Sequence, residues 1–234
     1  MKTLPFLLLL ILIGCNKEPI FTDAGPFTDT RDNYVYKSVL IGNQTWMAEN
    51  LAYLPFVNSS SDTSGTSPIY SVHGYDGTLV SEAKGTNNYT ALGVLYNWVA
   101  ATTACPSGWH LPTDEEWKIL EMYLGMSKAD ADFVGLRKSG SVGMKLKSAS
   151  GWPNTPDGII GNGDNSSGFT AITSGYRYGT GGFESVNTGV TFWSSTESDA
   201  SHSWTRQLGN ATSGVFRGQG VRNYGISARC IKDE

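Results

Sequence analysis

The sequence is poor in charged residues, in histidine and in cysteine. Charged side chains make up 16% of the 234 residues, against about 25% in an average domain. The net charge is −4, without a cluster of lysine or arginine, which excludes a typical nucleic-acid-binding surface. None of the three histidines, His73, His110 and His202, lies in a G-x-S-x-G, H-E-x-x-H or P-loop motif. We therefore expect a protein that is not an enzyme.

A long hydrophobic run is also missing. The apolar stretch over residues 4–13 is too short to span a bilayer, and it ends in the motif L-I-G-C at Cys15. This pattern resembles a bacterial lipobox and predicts a signal peptide over residues 1–14 and acyl chains on Cys15, which would anchor the protein to a membrane. Asn16 follows without an aspartate, which favours the outer membrane, facing the periplasm or the exterior. The alternative is an ordinary signal peptide with an incidental cysteine.

The remaining chain divides into two parts. Residues 15–33 are polar, contain Pro19, Gly25 and Pro26, and predict a lipidated tether. Residues 34–234 are long enough to bury a core as one domain. Their wealth of glycine, serine and threonine predicts an α+β domain with many short strands and few helices.

A strong helix signal follows Cys105. Thr113 and Glu116 form a capping box, and Gly125 is placed to end a helix over residues 114–124. A second helix is predicted over residues 127–138, capped by Ser127, with Phe133 and Leu136 buried.

Strands are predicted on both sides of this helical region. Residues 35–41 and 44–47 predict a hairpin around Gly42. Later short strands are expected at 144–146, 169–171, 192–193, 204–208, 215–216 and 226–231, and Gly218 and Gly220 are expected in a hairpin turn.

Two cysteines remain once Cys15 is assigned to lipid. Outside the cytoplasm the default expectation for Cys105 and Cys230 is a disulfide, and the alternative is a pair of reduced, buried thiols.

Two groups of side chains are candidate binding residues. Oxygen donors suited to calcium gather in a glycine-rich loop at Asp157, Asn162, Asp164 and Asn165; ordinary turn chemistry is the alternative. Aromatic faces and arginines that could contact a ligand occur at Trp193, Glu197, Trp204, Arg206, Arg217 and Arg222. The alternative is that the tryptophans belong to the core.

Several blocks carry a family resemblance. G-N-Q-T-W-M-A-E-N-L from Gly42, L-Y-N-W from Leu95, C-P-S-G-W-H-L-P-T-D-E-E-W from Cys105, F-W-S-S-T-E from Phe192 and R-C-I-K-D from Arg229 resemble the Fibrobacter succinogenes major paralogous domain over residues 34–233. That family occurs on secreted and lipid-anchored bacterial surface proteins, so the resemblance implies a location more than a reaction.

The block from Gly108 to Trp117 is also similar to one in formylglycine-generating enzymes. This similarity implies a C-type-lectin-like fold with first and last strands paired. Their catalytic cysteine pair lies late in the domain, whereas Cys105 lies early, so the activity is not implied.

Three functions are compatible with these patterns. We expect a non-enzymatic binding or adhesion module for a polysaccharide or protein, without a cofactor unless calcium binds. A structural envelope protein is the first alternative, and a hydrolase or oxidase is the second.

Overall fold

The computed structural model describes residues 20–234. These residues form fourteen β-strands and six short α-helices, which confirms the α+β class. The strands form sheets of seven, five and two strands. Across this part of the chain, no helix is long and apolar enough to cross a membrane. Residues 1–14 and Cys15 lie outside the described residues, so the signal peptide and the lipidation remain predictions.

The five-stranded sheet brings together the two ends of the described chain. Its order is β1-β2-β3-β14-β6, and every pairing is antiparallel. The strands are β1 (Phe21–Asp29), β2 (Tyr34–Ile41), β3 (Gln44–Met47), β14 (Ile231–Lys232) and β6 (Trp109–His110). The predicted hairpin is confirmed as β2 and β3, with Gly42 at φ +64° in its turn. The first and last strands share this sheet but are not paired as expected, because β3 and not the first strand pairs with β14.

Strand β1 corrects the predicted tether over residues 15–33. Residues 21–29 pair with β2 along their length, so the tether cannot extend beyond Ile20. Pro26 is tolerated because β1 is an edge strand, and Gly25, at φ +81°, lies at a β-bulge. Phe27 stacks on Trp109 with ring centroids 4.2 Å apart, which fixes the strand to the domain.

The seven-stranded sheet is the larger frame of the domain. Its order is β4-β5-β13-β10-β11-β12-β7, and β10 and β13 are parallel while the other neighbours are antiparallel. The strands are β4 (Tyr70–Ser71), β5 (Leu95–Tyr96), β13 (Ile226–Ser227), β10 (Gly189–Glu197), β11 (His202–Gly209), β12 (Val215–Val221) and β7 (Gly135–Arg137). The small third sheet pairs β8 (Tyr176–Arg177) with β9 (Phe183–Glu184). Gly218 and Gly220 lie inside β12, so the predicted turn at these glycines is wrong.

The helices are short. They are α1 (Val80–Lys84), α2 (Asn87–Leu92), α3 (Trp98–Ala104), α4 (Asp114–Tyr123), α5 (Lys128–Asp132) and α6 (Val142–Leu146). The capping box of Thr113 and Glu116 at the start of α4 is confirmed, and Gly125 follows its end at φ +104°.

Two predictions about the helical region are wrong. Helix α5 is capped by Ser127 as expected but ends at Asp132. Gly135, at φ +122°, cannot continue a helix, and Leu136 pairs with Phe216 in the sheet, so Phe133 and Leu136 are exposed. Residues 144–146, predicted as a strand, belong to α6.

The disulfide between Cys105 and Cys230 is confirmed, with a Cα–Cα distance of 5.9 Å. It joins the end of α3 to the residue before β14 and therefore holds the C-terminal strand against the helical half of the domain.

One buried aromatic cluster lies next to the five-stranded sheet. It contains Trp46, Trp117, Phe169 and Phe192.

Three buried cations hold irregular loops in place by binding backbone carbonyls. Arg177 donates to the carbonyls of Ser59, Ser60 and Asp62. The Nζ of Lys147 donates to Gly161, Gly209 and Thr212. Arg229 donates to Met47, Phe169 and Thr170 and lies over the Phe169 ring at 4.3 Å. Met47 and Gly209 end strands, and the other carbonyls lie in loops. Because loop carbonyls lack a ladder partner, the cations satisfy acceptors that would otherwise be costly to bury.

Candidate ligand-binding groove

Most of the predicted ligand surface is internal. Trp193 is fully buried, and its Nε1 donates to the Tyr96 carbonyl at 2.8 Å, so the alternative that it belongs to the core is correct. Arg206 and Arg217 are also buried. These three residues cannot contact a ligand at the surface.

The two buried arginines belong to an ion network between α4 and the large sheet. Asp114 accepts from Arg206 Nη1 at 2.8 Å and from Arg217 Nη2 at 2.7 Å. Glu121 accepts from Arg137 Nη2 at 2.6 Å and from Arg206 Nε at 2.8 Å. Burial alone would raise the pKa of Asp114, but the guanidinium groups of Arg217 and Arg206 lower this pKa to about 2. The network fixes the helix to the sheet and has a structural role.

The other predicted ligand residues are partly exposed but already have partners. Arg222 Nη2 lies 3.1 Å from Glu197 Oε2, and its guanidinium lies 4.2 Å above the Trp98 ring. The guanidinium of Arg217 stacks on one face of the Trp204 ring, 3.7 Å from the ring centroid. Arginine stacking therefore takes up aromatic faces that the sequence offered as ligand contacts.

The predicted calcium ligands make turn contacts. Asn162 Oδ1 accepts from the Trp152 amide at 2.9 Å, and Asp164 Oδ1 accepts from the Ser166 amide at 2.9 Å. Asn165 Oδ1 accepts from the Thr170 amide at 2.8 Å, and Asp157 is exposed. Between residues 20 and 234, no group of three or more His, Cys, Asp or Glu side chains is placed to hold a metal ion.

The histidines do not form a catalytic relay. His110 bonds Asp233 through Nδ1 at 2.6 Å and Glu116 through Nε2 at 2.8 Å, which leaves no free ring nitrogen. Ser201 and Asp199 both bond the same nitrogen, Nδ1, of His202 at 3.0 and 2.9 Å, whereas a triad uses opposite nitrogens. The remaining histidine, His73, is half-buried against Phe183, and burial lowers its pKa.

A groove lies on the sheet face that points away from the ion network. Register places Phe192, Arg206 and Arg217 side by side on one face, and Thr191, Gln207 and Phe216 side by side on the other. The groove encloses about 320 Å³, at the lower end of the range for small-ligand sites. Its lining is Tyr176, Thr191, Thr205, Gln207, Phe216, Gln219, Gly220, Val221, Tyr224 and Ile226.

The groove runs across four strands. Ile226 on β13, Thr191 on β10, Gln207 on β11 and Phe216 on β12 follow one another across the sheet. Three strand spacings correspond to about 14 Å. The floor thus offers hydroxyl and amide groups between aromatic rings at the two ends.

Two glycines on β12 leave room for neighbouring side chains. A Cβ on Gly218 would overlap the Phe216 ring, so glycine there lets this ring lie across the strand. A Cβ on Gly220 would lie 2.7 Å from Cζ3 of Trp193 and 2.6 Å from Cγ2 of Thr205, so glycine there leaves room for these two side chains. With 41% of its surface exposed, the Phe216 ring forms one wall of the groove.

Tyrosines form the opposite wall. The Tyr176 and Tyr224 rings are stacked 6.2 Å apart at an interplanar angle of 7°. The Tyr176 hydroxyl donates to the Tyr178 hydroxyl at 2.9 Å, which in turn donates to Glu184 at 3.0 Å. Stacking and hydrogen bonds hold these rings in place before any ligand binds.

The sequence patterns did not predict this groove. A signal was present, because glycines at 218 and 220 are two residues apart and must point to the same face of a strand. In T-R-Q, Thr205 and Gln207 alternate with Arg206, so one face of their strand is uncharged. Glycine is depleted in strands, so local chemistry alone predicts a turn at the two glycines.

Comparison with known proteins gives one match. The model of the Fibrobacter succinogenes major domain family matches residues 39–232. A search of curated proteins found no match, and a search of solved structures found none either.

Proposed function

The chain belongs to the Fibrobacter succinogenes major domain family, and from this premise we propose that it is a non-enzymatic envelope lipoprotein that binds a neutral polysaccharide in the groove. We also propose a C-type-lectin-like architecture. Its support is the shared sheet of the N-terminal hairpin and C-terminal strand, together with the loop-rich region between them.

The observation that carries the binding proposal is the chemistry of the groove lining. Aromatic side chains stand at both ends, hydroxyl and amide groups lie between them, and no lining side chain is charged. Sugar rings present apolar C–H faces that stack on aromatic rings, and hydroxyl groups that bond to Thr, Gln and Tyr. An uncharged lining offers no partner for a carboxylate or sulfate, so a neutral glycan fits best.

We also propose that the protein is located at the outer membrane. Acyl chains on Cys15 would hold the domain on the outer membrane, where polysaccharides are accessible. The confirmed disulfide supports an oxidising compartment outside the cytoplasm.

A panel of soluble polysaccharides tests the proposal. Affinity gel electrophoresis should show retardation in gels that contain a neutral glucan, mannan or galactan, and none with polygalacturonate or hyaluronate. Retardation only by the anionic polymers, or by none of the panel, would contradict a neutral-glycan site.

A structural envelope role is the second candidate. Edge strand β7 has no partner on its outer side in the described sheet, and Phe133, Val134 and Leu136 are exposed beside it. Exposed apolar edges favour subunit contacts. Sedimentation of the lipid-free mature protein tests this: a concentration-dependent oligomer that Leu136→Lys dissolves would favour the structural role.

A further inference from the structure

The distance between the predicted lipid and the folded domain is short. Strand β1 begins at Phe21, and the Ile20 amide already donates to the Ser166 carbonyl at 3.4 Å. Cys15 is therefore five residues from a fixed point of the domain. Whatever its conformation, a chain of that length spans at most about 18 Å.

This reach is small beside the domain. About 215 residues give a radius of gyration of about 17 Å, which corresponds to a sphere of radius about 22 Å. A tether shorter than that radius cannot let the domain turn its far side toward the bilayer. Acyl chains on Cys15 would therefore fix which face of the domain is closest to the lipid.

A shallow depression of about 110 Å³ lies next to Ile20. It is lined by Ile20, Phe21, Thr22, Leu40, Gly42 and Tyr123. Tyr123 packs over Gly42, since a Cβ there would lie 2.9 Å from the tyrosine ring.

Helix α4 contributes exposed side chains to the same surface. Ile119 lies one turn before Tyr123 on the helix, and the two side chains are 42% and 53% exposed. We define Ile20, Phe21, Ile119 and Tyr123 as the anchor face.

We propose that the anchor face lies against the headgroup region of the membrane that carries the Cys15 lipid. This inference rests on the proposed lipidation. Apolar side chains with a tyrosine suit the interface between water and hydrocarbon. The depression beside Ile119 is lined by three carboxylates, Glu116, Asp233 and Glu234, and by one cation, Lys232. Because negative charge prevails there, a zwitterionic surface fits better than an anionic one.

Hydroxyl-radical footprinting tests the anchor face. The full-length lipidated protein is placed in phosphatidylcholine–phosphatidylethanolamine vesicles and compared with a form carrying twenty Gly/Ser residues inserted after Asn16, which loosens the tether. Oxidation of Ile119 and Tyr123 should be at least threefold lower with the native tether. Oxidation of Phe56 and Phe216 should be equal in the two forms and serves as the internal control.

Each result has a separate meaning. Equal, high oxidation of Ile119 and Tyr123 in both forms would overturn the inference. Equal protection in both forms would also overturn it, because a second copy of the chain would then cover the face. Mass spectrometry of the N-terminal peptide reports the acyl chains directly. An unacylated Cys15 would refute both anchoring and anchor face, whereas glycan binding is judged by its own assay.

Discussion

Replacement of Glu121 by glutamine is the sharpest test of how the domain is held together. The Glu121 carboxylate is fully buried and receives three hydrogen bonds, two from Arg137 at 2.6 and 2.7 Å and one from Arg206 at 2.8 Å. Glutamine keeps the shape but removes the charge and one acceptor. Arg137 would then lose its carboxylate partner, and Arg206 would keep only Asp114.

The expected cost follows from burial. Removing one partner of a buried ion pair typically costs about 3–5 kcal/mol in the free energy of unfolding. At about 2–4 °C per kcal/mol for a domain of this size, Tm should fall by roughly 6–20 °C. Urea unfolding followed by circular dichroism measures the change, with the disulfide kept oxidised.

A matched control lies on the same helix. Glu115 also pairs with a cation, Lys118, at 2.7 Å, but its side chain is 74% exposed, whereas that of Glu121 is 0% exposed. Glu115→Gln should change stability by less than about 1 kcal/mol. Equal effects of the two substitutions would refute the view that burial of the network, and not ion pairing as such, fixes α4 to the sheet.

Three further predictions concern the same framework. The pKa of Asp114 is lowered to about 2 from an unfolded value of about 3.9. This shift gives about 3 kcal/mol of stability that is present above pH 4 and lost as pH falls toward 2. In Asp114→Asn, urea midpoints between pH 5 and 2 should depend less on pH, and an unchanged slope would contradict the assignment. Joint replacement of Cys105 and Cys230 by serine opens a crosslink across 125 residues. In the chain-entropy model this should lower the free energy of unfolding by about 5 kcal/mol. A loss below about 1 kcal/mol in urea unfolding would rule this value out. Burial would lower the pKa of His110, but the hydrogen bonds that its ring donates to Asp233 and Glu116 raise this pKa above 6.5. The stabilisation is therefore present below pH 6.5 and is lost as pH rises through the raised pKa. NMR titration should give a lower pKa in Asp233→Asn, and an unchanged pKa would show that the contact is absent in solution.

Local signals in the sequence predicted the parts of the fold that local chemistry decides. The capping box at Thr113 and Glu116, the glycine turn at Gly42 and the pairing of Cys105 with Cys230 were all predicted from neighbouring residues or composition. The capping box and the glycine turn form within a few residues. The disulfide joins residues 125 positions apart, and it was predictable because only two cysteines remain after Cys15.

Tertiary contacts decided the parts that the sequence did not predict. Strand β1 has the proline and glycine content of a tether, but Phe27 finds Trp109, which lies 82 positions later, and becomes fixed. Phe133 and Leu136 have helical spacing, but Gly135 breaks the helix and Leu136 joins the sheet. Such contacts cannot be predicted from periodicity alone.

Tertiary contacts also decided which of the predicted ligand residues are accessible. Exposed tryptophan and arginine were expected to form the ligand surface, yet Trp193 and Arg206 are buried and Arg217 stacks on Trp204. Arginine and tryptophan have the same sequence signature whether they face a ligand or each other. An alanine variant of Arg206 would therefore report on stability and not on binding.

Isothermal titration calorimetry of groove variants tests the central claim most directly. Phe216→Ala and Tyr224→Ala each remove a ring from a groove wall. Phe56→Ala is the control, because Phe56 is 43% exposed, close to the 41% of Phe216, and lies outside the groove lining. With a neutral polysaccharide that binds the native protein, the two groove variants should weaken binding at least tenfold, about 1.4 kcal/mol. Phe216→Ala should do so at unchanged thermal stability, whereas Tyr224→Ala also removes a ring that packs against the core. Unchanged affinity in both groove variants, or an equal loss in Phe56→Ala, would contradict the groove as the binding site.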